Sequence, residues 1–506
     1  MLHPGYCGAM THRFKPVFLL APLAALLIAA APTGMAAPPA REEQLAQAAA
    51  LVDAGKAAEA LAILDRLLAS SDLPADRGQV EGLRSFALAR AGKFAESRAA
   101  IEFAADAAIT PSLLLLRQLF VLRAITDDVP AAGQALQLIA ATDPKWLAEL
   151  PTELVNAVMV DTKDDDRKFD LALTLVTAGY APADQTVGDS DALRMTVITG
   201  LAKRGRLDEA QPVVAALVNT VSIVRLAIDR RFQSLWPSLE TRLGAGADAA
   251  DAAFIAAAER ALAKAPQSII ARAGLAEALN IASKEPEALA RIADIGETPE
   301  ALARMSEREL WAINLKAGLL ADAGRSDAAL AALDAAAALP AETHPQVAAF
   351  RIIAADMAEE AGRHDEALKR VAAIDSKGLN PFGLQALAGI RVCALARSGR
   401  MAEATTAAAA LPAGWTSDGN NRAVQAGLAC AGRLDAAAAV LIKRLEHDDS
   451  RDDVLFELQP FLINDRANAP DRATKASLRL LKARPDVKAA FTRLGRDLPA
   501  AISPPR

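Results

Sequence analysis

Residues 358–371 read Ala358-Glu359-Glu360-Ala361-Gly362-Arg363-His364-Asp365-Glu366-Ala367-Leu368-Lys369-Arg370-Val371. A small residue, a glycine and a basic residue are followed by acids and then by alanine. The same phrase surrounds Gly55, Gly92, Gly205, Gly324, Gly399 and Gly432. The last four glycines are spaced 38, 37 and 33 residues apart, and Gly55 and Gly92 are 37 apart. Positions that took no part in selecting the phrase repeat as well. Four residues before the glycine stand Leu51, Leu88, Leu201, Leu320, Ala358, Leu395 and Leu428. Five after it stand Ala60, Ser97, Ala210, Ala329, Ala367, Ala404 and Ala437. Alanine is about a quarter of the chain, and even so this last coincidence has a chance of roughly one in a thousand.

The phrase has the chemistry of a helix–turn–helix. Glycine adopts the left-handed conformation that ends a helix. The acids fall in the first turn of the next helix, where the helix dipole favours negative charge. The small residue five after the glycine lets the two helices approach closely. One such hairpin buries a single face and needs neighbours.

These positions resemble the tetratricopeptide repeat. The turn glycine matches Gly92 or Gly362, the small residue of the second helix matches Ala60, Ala210, Ala367 and Ala404, and the large apolar residue four positions on matches Leu64, Ile101 and Leu333. The family's first-helix aromatics are here Leu or Ala, so the chain is similar to a degenerate, alanine-rich, exported bacterial member. The resemblance implies an all-α, right-handed superhelical solenoid of antiparallel helix hairpins. It covers 42–107 and 309–446, and the gaps from Gly92 to Gly205 and from Gly205 to Gly324 are each close to three periods.

The composition agrees. Of 506 residues, 52% are hydrophobic but only 4% aromatic. Sheets want β-branched and aromatic side chains, whereas Ala, Leu, Arg and Glu are helix formers. Net charge is −6, with no basic run, which argues against a nucleic-acid surface.

Residues 1–36 read as a cleavable export signal. His12, Arg13 and Lys15 precede an apolar run, Val17 to Ala31, and cleavage after Ala36 uses the small residues Gly34 and Ala36. The run is shorter than the about 20 residues of a spanning helix, and no later segment is apolar enough to cross a bilayer. The expected location is the periplasm, with secretion or an uncleaved N-terminal anchor as the alternatives. The expected organisation is 37–243 and 244–446 as two arms of about a dozen hairpins in all, meeting at Gly244-Ala245-Gly246, and 447–506 as capping helices and tail.

The chemistry-bearing residues are sparse. His344, His364 and His447 have no metal-ligand spacing. The aspartates of 161–170 lack the glycine and the alternation of a calcium loop and read as a capped turn. His447-Asp448-Asp449 with Asp452-Asp453 reads the same way. Phe232 and Trp236 read as core residues on a helix ending before Pro237. No catalytic motif is present, so the chain is read as non-catalytic, with no cofactor and no metal. The competing readings are a helical cell-wall-acting enzyme, such as a lytic-transglycosylase-like solenoid, or its regulatory subunit.

Cys393 and Cys430 lie on similar faces of consecutive first helices. Packed helix axes are about 8–10 Å apart, wider than the about 7 Å a disulfide tolerates between Cα atoms. Two separate small core residues and a bridge between repeats both stand. By offset from the glycine, Asn314, Asp322, Asp356, Glu359, Glu360, Arg397 and Arg422 face a concave groove expected to take a protein or peptide partner of the cell envelope. Nothing in the sequence bears on the oligomeric state.

Overall fold

The structure, a computed structural model, describes residues 39–71, 73–108, 110–182, 185–412, 414–417, 419–463 and 472–504. The export signal, 1–36, lies outside them. The described chain is all-α. It forms two compact units, one ending at Ala183 and the other beginning at Asp184.

The first unit holds α1 (Pro39–Asp53), α2 (Ala57–Ala69), α3 (Pro74–Arg90), α4 (Phe94–Ala107), α5 (Leu113–Ile125), α6 (Val129–Thr142), α7 (Thr152–Asp161) and α8 (Asp165–Thr177). The second opens with α9 (Ser190–Lys203), α10 (Gln211–Ala215), α11 (Thr220–Ile228), α12 (Trp236–Leu243), α13 (Asp248–Lys264), α14 (Ile269–Ile281), α15 (Glu285–Ile292) and α16 (Pro299–Ala303). It continues as the hairpins α17 (Glu307–Asp322) with α18 (Ser326–Ala337), α19 (Val347–Glu360) with α20 (His364–Ala373), α21 (Pro381–Arg397) with α22 (Met401–Ala408), and α23 (Asn421–Cys430) with α24 (Leu434–Glu446). It ends with α25 (Asp448–Glu457), α26 (Arg472–Ala483) and α27 (Pro485–Leu494). Within each unit most helices pack on a chain neighbour, and first helices of successive hairpins also touch, as α14 touches α17, α19 touches α21 and α21 touches α23. This is the packing of a helical-repeat solenoid.

The turn explains the phrase. At Gly362, φ is +77°. The amide of Arg363 donates to the carbonyl of Ala358 at 2.9 Å and that of Gly362 to Glu359 at 3.0 Å, the bond pair that closes a helix through a left-handed residue. The residue four before the glycine is therefore the one whose carbonyl closes the turn. The basic residue then opens the next helix and pairs with the acid three on, as Arg206 does with Glu209 at 2.6 Å and Arg400 with Glu403 at 2.5 Å. Such exposed pairs contribute only about 0.2–1 kcal/mol each. The alanine position carries more of the packing. Ala60, Ser97, Ala210, Ala329, Ala367, Ala404 and Ala437 are all completely buried. In the second hairpin Ser97 Oγ donates to the Ser85 carbonyl across the helix contact at 2.7 Å.

Two hairpins turn without glycine. Asp127 and Ser283 take φ of +59° and +56°. The same 2.9 Å closing bonds run from Asp128 to Arg123 and from Lys284 to Leu279. Five residues on, Ala132 and Ala288 are again fully buried. These repeats lie in the interval between the glycine-marked ones.

The boundary expected at Gly244-Ala245-Gly246 is instead a bend inside the second unit. Gly244, Gly246 and Ala247 all have positive φ, but the short 3-10 turn Ala245–Ala247 packs against another, Ala500–Ile502, from the chain's end. The units part in the Pro182 loop. The C-terminal helices also pack back on the unit. α25 packs on α11, Arg496 N donates to Ile228 O at 2.9 Å, and Asp229 pairs with Gly495 in an isolated antiparallel bridge. The second unit thus returns its end onto its own early helices.

Phe232 is core, fully buried, but Trp236 begins α12 rather than ending a helix, because Pro237 suits a first turn, where its missing N–H costs nothing. Trp236 Nε1 donates to the Leu226 and Asp229 carbonyls at 3.2 and 3.3 Å, and the Arg496 guanidinium lies 3.7 Å from its ring centroid. In the first unit Asp164 caps α8, accepting from Arg167 N at 2.8 Å.

Candidate functional site

The first helices α19, α21, α23 and α25 carry a strip of charge. Glu359, near the end of α19, is almost completely buried. Arg397, at the end of α21, donates from Nη1 to both its oxygens at 2.9 and 2.7 Å, and from Nη2 to Thr474 Oγ1 of α26 at 3.0 Å. His364 Nδ1 stands 3.7 Å from the same carboxylate. Farther along, Arg422 Nε is 3.4 Å from Glu457 Oε1, and the buried Arg444 reaches both Glu457 oxygens at 3.1 Å while also donating to Gln425 at 2.7 Å.

The electrostatics follow from this arrangement. Burial opposes ionisation of Glu457, but Arg444 and Arg422 outweigh it and hold its carboxyl at about 2. Burial pushes Glu359 above the ordinary carboxylate range, against the pull of Arg397. Burial likewise raises Asp356, and Glu359 adds to the rise. Burial and the Arg397 charge together lower His364.

Of the residues expected to face the groove, Asp356, Glu359, Glu360, Arg397 and Arg422 belong to this strip. Asp322 is exposed at the end of α17. Asn314 is buried in the middle of α17. Glu359 with Arg397, and Glu457 with Arg422, satisfy each other across the repeats.

Two further charged clusters lie in the second unit. Asp448, Asp452 and Asp453 do not cap a turn. Asp448 pairs with Arg451 at 2.9 Å, Arg231 at 3.4 Å and Lys203 at 3.5 Å, while Arg225 reaches Asp452 at 3.5 Å and also pairs with Asp453. His447 instead stacks on Trp415, ring centroids 4.3 Å apart. The second cluster surrounds Glu277 of α14. Burial raises its carboxyl to about 7, the Asp189 charge adds to this and Arg308 opposes it. Arg308 is itself paired with Asp189. The fully buried Asp191 takes the Val218 and Asn219 amides at 2.9 and 2.7 Å, pinning the start of α11. The only sequence signal was the single acid of a largely apolar helix, α14.

Cys393 and Cys430 are joined in the structure, with Sγ atoms 2.09 Å and Cα atoms 5.0 Å apart. The ordinary interhelical spacing does not hold here. A Cβ on Gly389 would lie 2.6 Å from the Ala423 carbonyl oxygen, and one on Gly427 would lie 3.3 Å from Gly389 Cα. Two glycines let α21 and α23 touch backbone to backbone.

No family model matches the chain, and no curated protein does. Among solved structures, Naa15/Naa10 bound to HypK-THB is similar over 89% of this chain and 79% of that one, at 12% identity and a TM-score of 0.25. The pentatricopeptide repeat protein PPR10 from maize is similar over 89% of this chain at 14% identity and a TM-score of 0.24, and this chain spans 63% of its length. By its own turns and packing, the chain is an all-α helical-repeat protein.

Proposed function

We propose that this chain is a non-catalytic, periplasmic, tetratricopeptide-like scaffold or adaptor that binds a protein or peptide segment in cell-envelope assembly. The observation that carries the reading is the charged strip. Contacts within the hairpins are made by alanine and leucine, so charged groups gathered across successive first helices are not what holds each hairpin together. Repeat arrays use such surfaces for binding. The acid-rich balance supports a protein partner over nucleic acid, and a disulfide between repeats suits an oxidising compartment.

The test is crosslinking in intact cells with identification of the attached protein. Asp356→Asn with Glu360→Gln, which remove charge without setting a cation beside Arg397 and Arg422, should lower that product at least fivefold while leaving the thermal melt in place. Glu359 is left alone because its loss would leave Arg397 without its closest partner. An unchanged product would sink the assignment. N-terminal sequencing of the protein recovered from the periplasm tests export, with Ala37 expected first.

A further inference from the structure

Residues 185–189 lead into α9, yet they rest on α14 and α17. A Cβ on Gly274 of α14 would lie 3.2 Å from Thr186 Cβ, so the missing side chain lets the segment lie close. Asp189 pairs with Arg308 of α17, 119 residues on. The same oxygen, Asp189 Oδ2, accepts from the Thr186 amide at 2.7 Å. One carboxylate thus shapes the turn and ties it down. The seat is imperfect. Thr186 Oγ1 and Arg308 Nε are buried with no hydrogen-bond partner among the described residues, and each such group costs about 1–3 kcal/mol. A segment seated at that cost opens more readily than the helices around it.

Glu277 stands one turn beyond Gly274, on the same side of α14. It feels Asp189 and Asp191 as like charges and Arg308 as the opposite one. The other charges on the elements packed around it are committed or exposed. Arg194 of α9 pairs with Asp191 at 2.7 Å, and Asp251 of α13 accepts from Thr220 at 2.6 Å. Arg272 pairs with Asp294, Lys316 of α17 donates to the Ile295 carbonyl at 2.9 Å, and Glu309 caps α17 at Ser306. Glu259 and Arg260 of α13 and Glu287 and Arg291 of α15 are exposed. Arg308 therefore has two acids to choose between, Asp189 and Glu277. We propose that Glu277 and Arg308 form a pH-operated latch on the segment 185–189. Protonated Glu277 leaves Arg308 to Asp189, and the segment stays seated on α14 and α17. Ionised Glu277 draws Arg308 away, repels Asp189 and frees the segment. The sign follows from burial, which raises the Glu277 carboxyl to about 7 while the segment is seated. Once the segment lifts, water reaches the carboxyl and its value falls towards about 4.3. The seated form keeps a proton that the open form loses, so its advantage declines from about pH 4.3 upward and is gone above about pH 7. Opening uncovers Gly274 and Arg308 on two adjoining first helices.

The experiment is hydrogen exchange of the full chain at pH 5 and pH 8, with the intrinsic rates divided out. The amides of Thr186, Asp189 and Asp191 report the segment, since each is hydrogen-bonded while it is seated. Their opening should rise about tenfold or more from pH 5 to pH 8. The amides of α14 and α17 should stay about a hundredfold better protected than the segment at both pH values, because the open latch leaves those helices folded. In Glu277→Gln the opening should change by less than about twofold between the two pH values. Asp189→Ala removes the tie without touching Glu277 and should open the segment at both, which keeps the test decisive if Glu277→Gln weakens the fold. Equal opening at pH 5 and pH 8 in the unmodified chain overturns the proposal. So does a pH dependence that survives Glu277→Gln, a segment still seated in Asp189→Ala, or α14 and α17 opening together with the segment.

Discussion

The two units use the same hairpin and are held differently. From 39 to 182, polar ties join neighbouring helices. Arg84 holds Asp65 at 2.9 Å, Arg123 holds Glu102 at 3.3 Å, and Arg41 reaches the Asp76 carbonyl, 35 residues on, at 3.0 Å. From 185 onward, similar local ties exist, but others span most of the unit. Arg231 meets Asp448 across 217 residues, Arg225 meets Asp453 across 228, and Arg496 Nε donates to the Ala227 carbonyl across 269. An array tied only to its neighbours loses stability repeat by repeat. One whose end returns to its beginning must open those ties together. The second unit should therefore unfold more cooperatively than the first, although both are built of the same alanine-packed turns.

The largest expected effect comes from breaking the return. Asp229 is fully buried and takes Arg231 at 2.7 and 2.9 Å besides capping the turn at the Arg231 amide. Asp229→Ala leaves a cation without its nearest partner, at a cost of about 3–5 kcal/mol. Hydrogen exchange should rise throughout the second unit and stay unchanged before residue 183. A local rise confined to α11 and α12 would break the comparison.

Next comes the covalent tie. Replacing Cys393 and Cys430 together by alanine should lower the second unit's stability by about 2–4 kcal/mol, and the first unit's not at all. Thiol counts in denaturant, with and without reductant, check the bond directly. Equal counts would remove it.

The third effect sharpens the contrast through pH. Glu277 is raised to about 7 in the folded chain, above its ordinary value of about 4.3. The folded state keeps a proton that the unfolded state has lost, so stability falls as pH rises between those values. Denaturation at pH 5 and pH 8 should show the second unit losing about 2 kcal/mol, after allowance for partial exposure. Glu277→Gln should shrink that loss, the remainder coming from Asp453, whose carboxyl burial also raises to about 7. An unchanged slope would show that the carboxyl ionises as readily folded as unfolded.

Much of the fold was legible because it is local. A glycine, the leucine whose carbonyl closes the turn and the alanine under the next helix lie within ten residues of one another. Asp127 and Ser283 escaped because the phrase was sought by its glycine. The alanines at 132 and 288 would have revealed them, since small size at the helix contact is the stricter demand and a left-handed turn can be borne by Asp or Ser at about 1–2 kcal/mol. The groove residues were legible in part for the same reason. Offset along a helix places Asp356, Glu359, Glu360, Arg397 and Arg422 on one strip, but it does not show that Glu359 is buried against Arg397, nor that Asn314 is buried.

The sequence by itself determined the all-helical class, the hairpin turns and the alanine contacts, because each depends on torsions and side-chain sizes only a few residues apart. Only the tertiary structure decided where the units part, that the chain's end returns to α11, that α21 and α23 approach closely enough for a disulfide, and that α26 lies against the charged strip. Those outcomes depend on which surfaces meet across hundreds of residues, and no periodicity within one repeat encodes that meeting.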